Sequence, residues 1–138
     1  MDLVPRIVKR KDNVSLMQRI TMEEIKAVVD DMEDDKAPGP DGFNVNFIKV
    51  CWEIVQKYLF KMVTKSQRCE KIGGSTNSAY LALVPKEKDA NSFDRFHSSS
   101  LCNIRYKIIT KIMARRSKNI LPHIIPENQG GFIKGRRI

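Results

Sequence analysis

Along residues 21–32 the apolar positions recur at helical intervals: Ile25, Val28, Val29 and Met32 gather on one face, while Glu23, Lys26 and Asp30 fall on the other. Thr21 followed by Glu24 is a capping box, and Ile20 with Ile25 is placed as a hydrophobic staple around it. The pattern predicts a helix that starts at Thr21 and must stop at Pro38. A second stripe, Ile48, Cys51, Trp52, Val55, Leu59, Met62 and Val63, predicts one long, well-buried helix with Lys57, Lys61 and Lys65 elsewhere on its surface. Between them, Ala37-Pro-Gly-Pro-Asp-Gly-Phe43 holds two prolines and two glycines in seven residues, which dictates a fixed, non-repetitive loop.

Gly73 and Gly74 close the helical part. The apolar run from Ala79 to Val84, bounded by Pro85, suits a buried strand, with Lys86 just past its end. After a polar turn over 87–92, residues 93–101 have the length to return as an antiparallel strand, although Ser98-Ser99-Ser100 is poor strand material. From Ile104 the pattern is helical again, with Ile108, Ile109, Ile112 and Met113 inward and Lys107, Lys111, Arg115, Arg116 and Lys118 around the rest. The line Ile109, Met113, Ser117, Ile120 puts a hydroxyl where a leucine is wanted, and burying it would cost about 1–3 kcal/mol. The helix is expected to stop near Pro122, before a Gly-rich, basic tail over 126–138.

Composition adds little to this picture until charge is divided along the chain. The 138 residues are 41% hydrophobic and 30% charged, an ordinary globular balance for one domain. No apolar run approaches the roughly 20 residues of a bilayer span, and the first residues lack a signal peptide, so the expectation is a soluble, intracellular protein without a membrane partner. The net charge of +9 is uneven: residues 1–50 carry 8 Lys+Arg against 10 Asp+Glu, whereas 51–138 carry 17 against 6. The basic second part favours a polyanion, because neutralised phosphates release counterions.

Several chemistries are excluded by spacing. Cys51, Cys69 and Cys102 are never paired as C-x-x-C, and His97 and His123 sit far from metal-finger spacing. The acidic run Asp30, Asp31, Glu33, Asp34 and Asp35 belongs to a helix end, not to the converging strands that two-metal chemistry needs. There is no G-x-S-x-G and no phosphate loop of the Walker or dinucleotide kind. What remains is phosphate-friendly: Lys86 at a strand end, the basic helix with Lys107, Lys111, Arg115 and Arg116, and the segment holding Lys134 and Arg136, where glycine lets a backbone approach phosphate.

Taken in order, these segments resemble the reverse transcriptase domain of non-LTR, LINE-type retrotransposons, especially the plant branch. The family pattern K-A-P-G-P-D-G-F, C-W, I-P-K, F-R-P-I-S-L-C-N, Y-K-I-I-x-K and Q-x-G-F-x-x-G-R stands here at residues 36–43, 51–52, 84–86, 96–103, 106–111 and 129–136. The resemblance runs from about residue 15 to the end, leaving 1–14 as an N-terminal tail and 15–138 as a partial reverse transcriptase domain. It implies an α+β, mostly helical fingers region of a right-hand polymerase, with a small antiparallel β-hairpin reaching over the incoming nucleotide and the palm largely missing.

In that family the lysine of I-P-K and the arginine of R-P-I-S hold the nucleoside triphosphate. Lys86 matches the first; His97 stands where the second belongs, in Phe96-His97-Ser98-Ser99-Ser100. A mostly neutral imidazole cannot replace a permanent bidentate guanidinium, so nucleotide binding is weakened at that position. The family's magnesium-binding aspartates are expected beyond Ile138, and no metal or other cofactor is expected in this chain itself. The expectation is therefore a fragment of an RNA-directed DNA polymerase, inactive alone, with residual affinity for an RNA template or RNA/DNA duplex and a natural contact to the missing palm. Two alternatives are a co-opted basic RNA- or DNA-binding module without catalysis, and a basic helical protein that makes protein contacts only.

Overall fold

The computed structural model describes residues 8–125, which divide into two compact units, one of residues 20–109 and one of residues 8–19 with 110–125. In the larger unit, α1 (Met22–Asp30) begins as the capping pattern requires: Thr21 Oγ1 accepts the Glu24 N–H at 3.2 Å. Ile25, Val28 and Val29 are buried, and Met32 is half-buried beyond the helix end. The helix ends at Asp30, well before Pro38.

The long second helix is two helices. α2 (Val45–Val50) starts on the Asn44 side chain, which accepts the Phe47 N–H at 2.8 Å, and α3 (Trp52–Cys69) continues after Cys51. Cys51 has ψ 18°, off the helical value, although its own N–H still reaches Phe47 O at 2.9 Å. No Gly or Pro marks this break, and the apolar stripe passes through it in phase: Ile48, Trp52, Leu59 and Val63 are all buried. α1 packs against both α2 and α3. α3 ends at Cys69, before Gly73, with Glu70 in the left-handed region at φ 52°.

β1 (Ala79–Pro85) and β2 (Phe96–Cys102) form a two-stranded antiparallel sheet, in register from Ala79 opposite Cys102 to Pro85 opposite Phe96. A 3-10 turn over Phe93–Arg95 leads into β2, so the returning strand starts at Phe96 and not at Phe93. β1 is a strand but not a buried one. Leu81 is 69% exposed and Leu83 48%, on one face, and Tyr80 and Val84 are exposed on the other. A continuous apolar run is the signature of a strand covered on both sides; within the described residues only β2 pairs with it.

α4 (Ile104–Ser117) carries the chain from this unit into the other. Ile104, Ile108, Ile109 and Ile112 are buried, but Met113 is 61% exposed and Ser117 is half-buried, so the line through Met113 and Ser117 is not the core line. The smaller unit adds α5 (Arg10–Leu16) and α6 (Leu121–Ile124). Asp12 reaches back to the Lys9 N–H at 3.1 Å, and Arg116 donates to Leu16 O at 2.9 Å and Gln18 O at 2.6 Å, giving the free carbonyls at the end of α5 a cation. α6 begins with Leu121-Pro122, the place in a helix where proline is tolerated. No described helix is long and apolar enough to cross a membrane.

Candidate nucleotide and nucleic-acid interface

The Pro-Gly loop is fixed by its fit to the end of β2. Gly39 N-terminal to Pro40-Asp41-Gly42 closes a turn in which the Gly42 N–H donates to Gly39 O at 3.0 Å, with Gly42 at φ +72°. A Cβ on Gly39 would lie 2.4 Å from the Cys102 carbonyl carbon and 2.5 Å from the Asn103 nitrogen. Only glycine admits that approach. Asn103, 1% exposed, then joins the parts: its Oδ1 accepts the Asp41 N–H at 2.8 Å and its Nδ2 donates to Ser75 O at 2.9 Å.

Arg105 completes the cluster. Its Nε stands 3.8 Å from Asp41 Oδ2, NH1 donates to the Tyr58 hydroxyl at 3.3 Å, and NH2 donates to Ser75 O at 3.4 Å. The Asp41 side chain is only 6% exposed and its Oδ2 has no hydrogen-bond partner among the described residues, so the Arg105 charge is what offsets its burial. Asp41 and Asn103 belong to the two motifs at residues 36–43 and 96–103, and the one local signal of their joint is an Asn directly before an apolar helical stripe.

The hairpin holds Lys86 at its turn end. The Lys86 N–H donates to Arg95 O at 2.9 Å and its Nζ to Asp94 O at 2.8 Å, while Val84 faces His97 in the ladder, so Lys86 and His97 share one end of the sheet. The ammonium is exposed but anchored across the turn. Arg95, two residues before His97, brings a guanidinium to the same turn and pairs with Glu87 at 3.2 Å.

The basic helix divides its residues between structure and surface. Lys107 Nζ donates to Ala37 O at 2.8 Å, tying α4 to the Pro-Gly loop, and Arg116 is occupied at the end of α5 as described. Lys111 and Arg115 are exposed. Lys134 and Arg136 lie outside the described residues.

The acidic run is drawn into ion pairs: Asp30 with Lys26 at 2.7 Å, Glu33 with Lys36 at 2.8 Å and Asp34 with Lys49 at 2.6 Å. The described residues contain no group of three His, Cys, Asp or Glu placed to hold a metal ion.

No family model matches the chain. Over 132 residues, 96% of its length, it is 26% identical to the "Transposon TX1 uncharacterized 149 kDa protein" of Xenopus laevis. The matched part is 10% of that relative, so the chain spans about a tenth of its length. Nearly all of the chain is therefore similar to a transposon protein.

Proposed function

We propose, starting from this similarity to a transposon protein, that the chain is a fingers-side segment of the reverse transcriptase of a non-LTR retrotransposon. The observation that carries the reading is the Gly39–Asn103 contact: two stretches chosen from sequence as parts of one pattern, 36–43 and 96–103, meet with a clearance only glycine allows. The hairpin then presents Lys86 towards a triphosphate, and Lys111 and Arg115 meet the phosphates of a template or RNA/DNA duplex. The uncovered faces of β1 fit docking on the palm of the complete polymerase. In that reaction magnesium would be held by palm carboxylates, and the segment alone does not polymerise.

His97 favours a second reading, a basic RNA- or DNA-binding module kept without catalysis, since the imidazole lacks the permanent charge that triphosphate binding wants. The test is affinity for an RNA/DNA template-primer measured against salt. A negative slope of log affinity on log salt that falls by about 2 in magnitude with Lys111→Gln/Arg115→Gln supports phosphate contact; no binding at low salt sinks both readings. His97→Arg then separates them: binding is unchanged in a polymerase segment without its palm, and disturbed in a module selected for its own residue.

A further inference from the structure

α3 turns Trp52, Leu59 and Val63 into the core of its unit. On a 3.6-residue repeat its opposite face carries Lys57, Lys61, Lys65 and Arg68, at steps of four, four and three. All four are exposed, and the exposed Tyr58 ring lies beside them. The single acid of the helix, Glu53, stands one turn before Lys57 at the start of this row and accepts a hydrogen bond from Gln56 Nε2 at 2.8 Å.

Elsewhere in the same unit, cations near acids have taken partners: Lys26 with Asp30, Lys36 with Glu33, Lys49 with Asp34, Arg95 with Glu87 and Arg105 with Asp41. The four α3 cations have no hydrogen-bond or ion-pair partner among the described residues. The helix dipole favours Arg68 in the last turn, but not Lys57 and Lys61 in the middle. Holding so many like charges on one face is unfavourable by itself, since like charges at i,i+4 repel.

We propose that this face of α3 is a contact surface for the phosphate backbone of a nucleic acid. The row is about 16 Å long, a length over which one strand of a duplex presents about five phosphates. Lysines on flexible stems act as point charges, so the surface reads backbone and not sequence. An anionic membrane fits less well, because an interfacial helix needs a broad apolar face to embed, and that face of α3 is already spent on the core. The surface lies on a different helix from Lys111 and Arg115 and would serve either reading of the chain's function.

The full chain is titrated with a mixed-sequence RNA/DNA duplex at several salt concentrations. Replacing Lys57, Lys61, Lys65 and Arg68 with Gln together should lower the magnitude of the salt slope by about 3–4, equally for unrelated sequences. Exchanging the three lysines for arginine should keep it. The double variant Lys57→Gln/Lys61→Gln, expected to lose about 2, serves if the fourfold variant unfolds. An unchanged slope overturns the proposal even where Lys111→Gln/Arg115→Gln changes it. So does binding to phosphatidylserine vesicles or polyglutamate, in place of the duplex, that depends on these four residues.

Discussion

The backbone N–H of Asp41 donates to the side-chain oxygen of Asn103 at 2.8 Å, across 62 residues of sequence. With its Nδ2 on Ser75 O, the same buried amide ties the Pro-Gly loop, the approach to β1 and the exit from β2 into one joint. Asn103→Ala should orphan these groups at about 1–3 kcal/mol each, read as a lower urea midpoint with an unchanged m-value. A midpoint equal to the parent's would remove Asn103 from this role.

The two glycines of the loop should fail for different reasons. Gly39→Ala drives a methyl into the Cys102 and Asn103 backbone, an overpacking cost of about 1–3 kcal/mol. Gly42→Ala meets open space and is penalised only for its φ of +72°, about 1–2 kcal/mol. Because Gly39 and Asn103 share one contact, Gly39→Ala with Asn103→Ala should cost less than the sum of the singles, while Gly42→Ala with Asn103→Ala should be nearer additive. Urea unfolding of the five variants decides it.

The hairpin should be sticky without being structural. Leu81 and Leu83 face outward on a sheet with no covering element among the described residues, so the full chain should bind an apolar-surface dye. Leu81→Ser/Leu83→Ser should cut the dye signal while shifting stability by no more than about 0.5 kcal/mol. A large loss of stability would mean that these side chains are covered in solution.

At the start of α1 the Glu23 carboxyl is held below the ordinary glutamate range, chiefly by a backbone N–H and then by the Thr21 hydroxyl. A depressed pKa means that the folded chain releases this proton more readily than the unfolded chain. The stabilisation is present above the unfolded value and is lost as pH falls through the lowered one. An NMR titration should show Glu23 titrating below a free glutamate, and Thr21→Ala should move it back upward. A Glu23 pKa at the free value in the parent chain contradicts the assignment.

What the sequence made legible was what is local. Thr21 with Glu24 placed a helix start, and the run ending at Pro85 placed a strand, because caps and strand ends depend on a few neighbouring residues. Cys51 broke a helix without any residue that signals a break. The burial of β1 was misread because a strand's own letters tell what could cover it, not whether the cover is present. At the site, Lys86 was found at its strand end, but Lys107 and Arg116, taken from sequence as phosphate contacts, also carry hydrogen bonds to carbonyls remote in sequence. Asn103 and Arg105 carry no local signal of their partners, because these lie 28 to 64 residues away, at Ser75 and Asp41.

The descent of the chain from a reverse transcriptase is tested most directly by sequencing the locus beyond the codon for Ile138. The account predicts that the following frame, intact or decayed, encodes a strand with Phe-x-x-x-Asp and then an X-Asp-Asp hairpin, the carboxylates that would hold magnesium in the palm. A downstream sequence with no trace of either, in any frame, would contradict it.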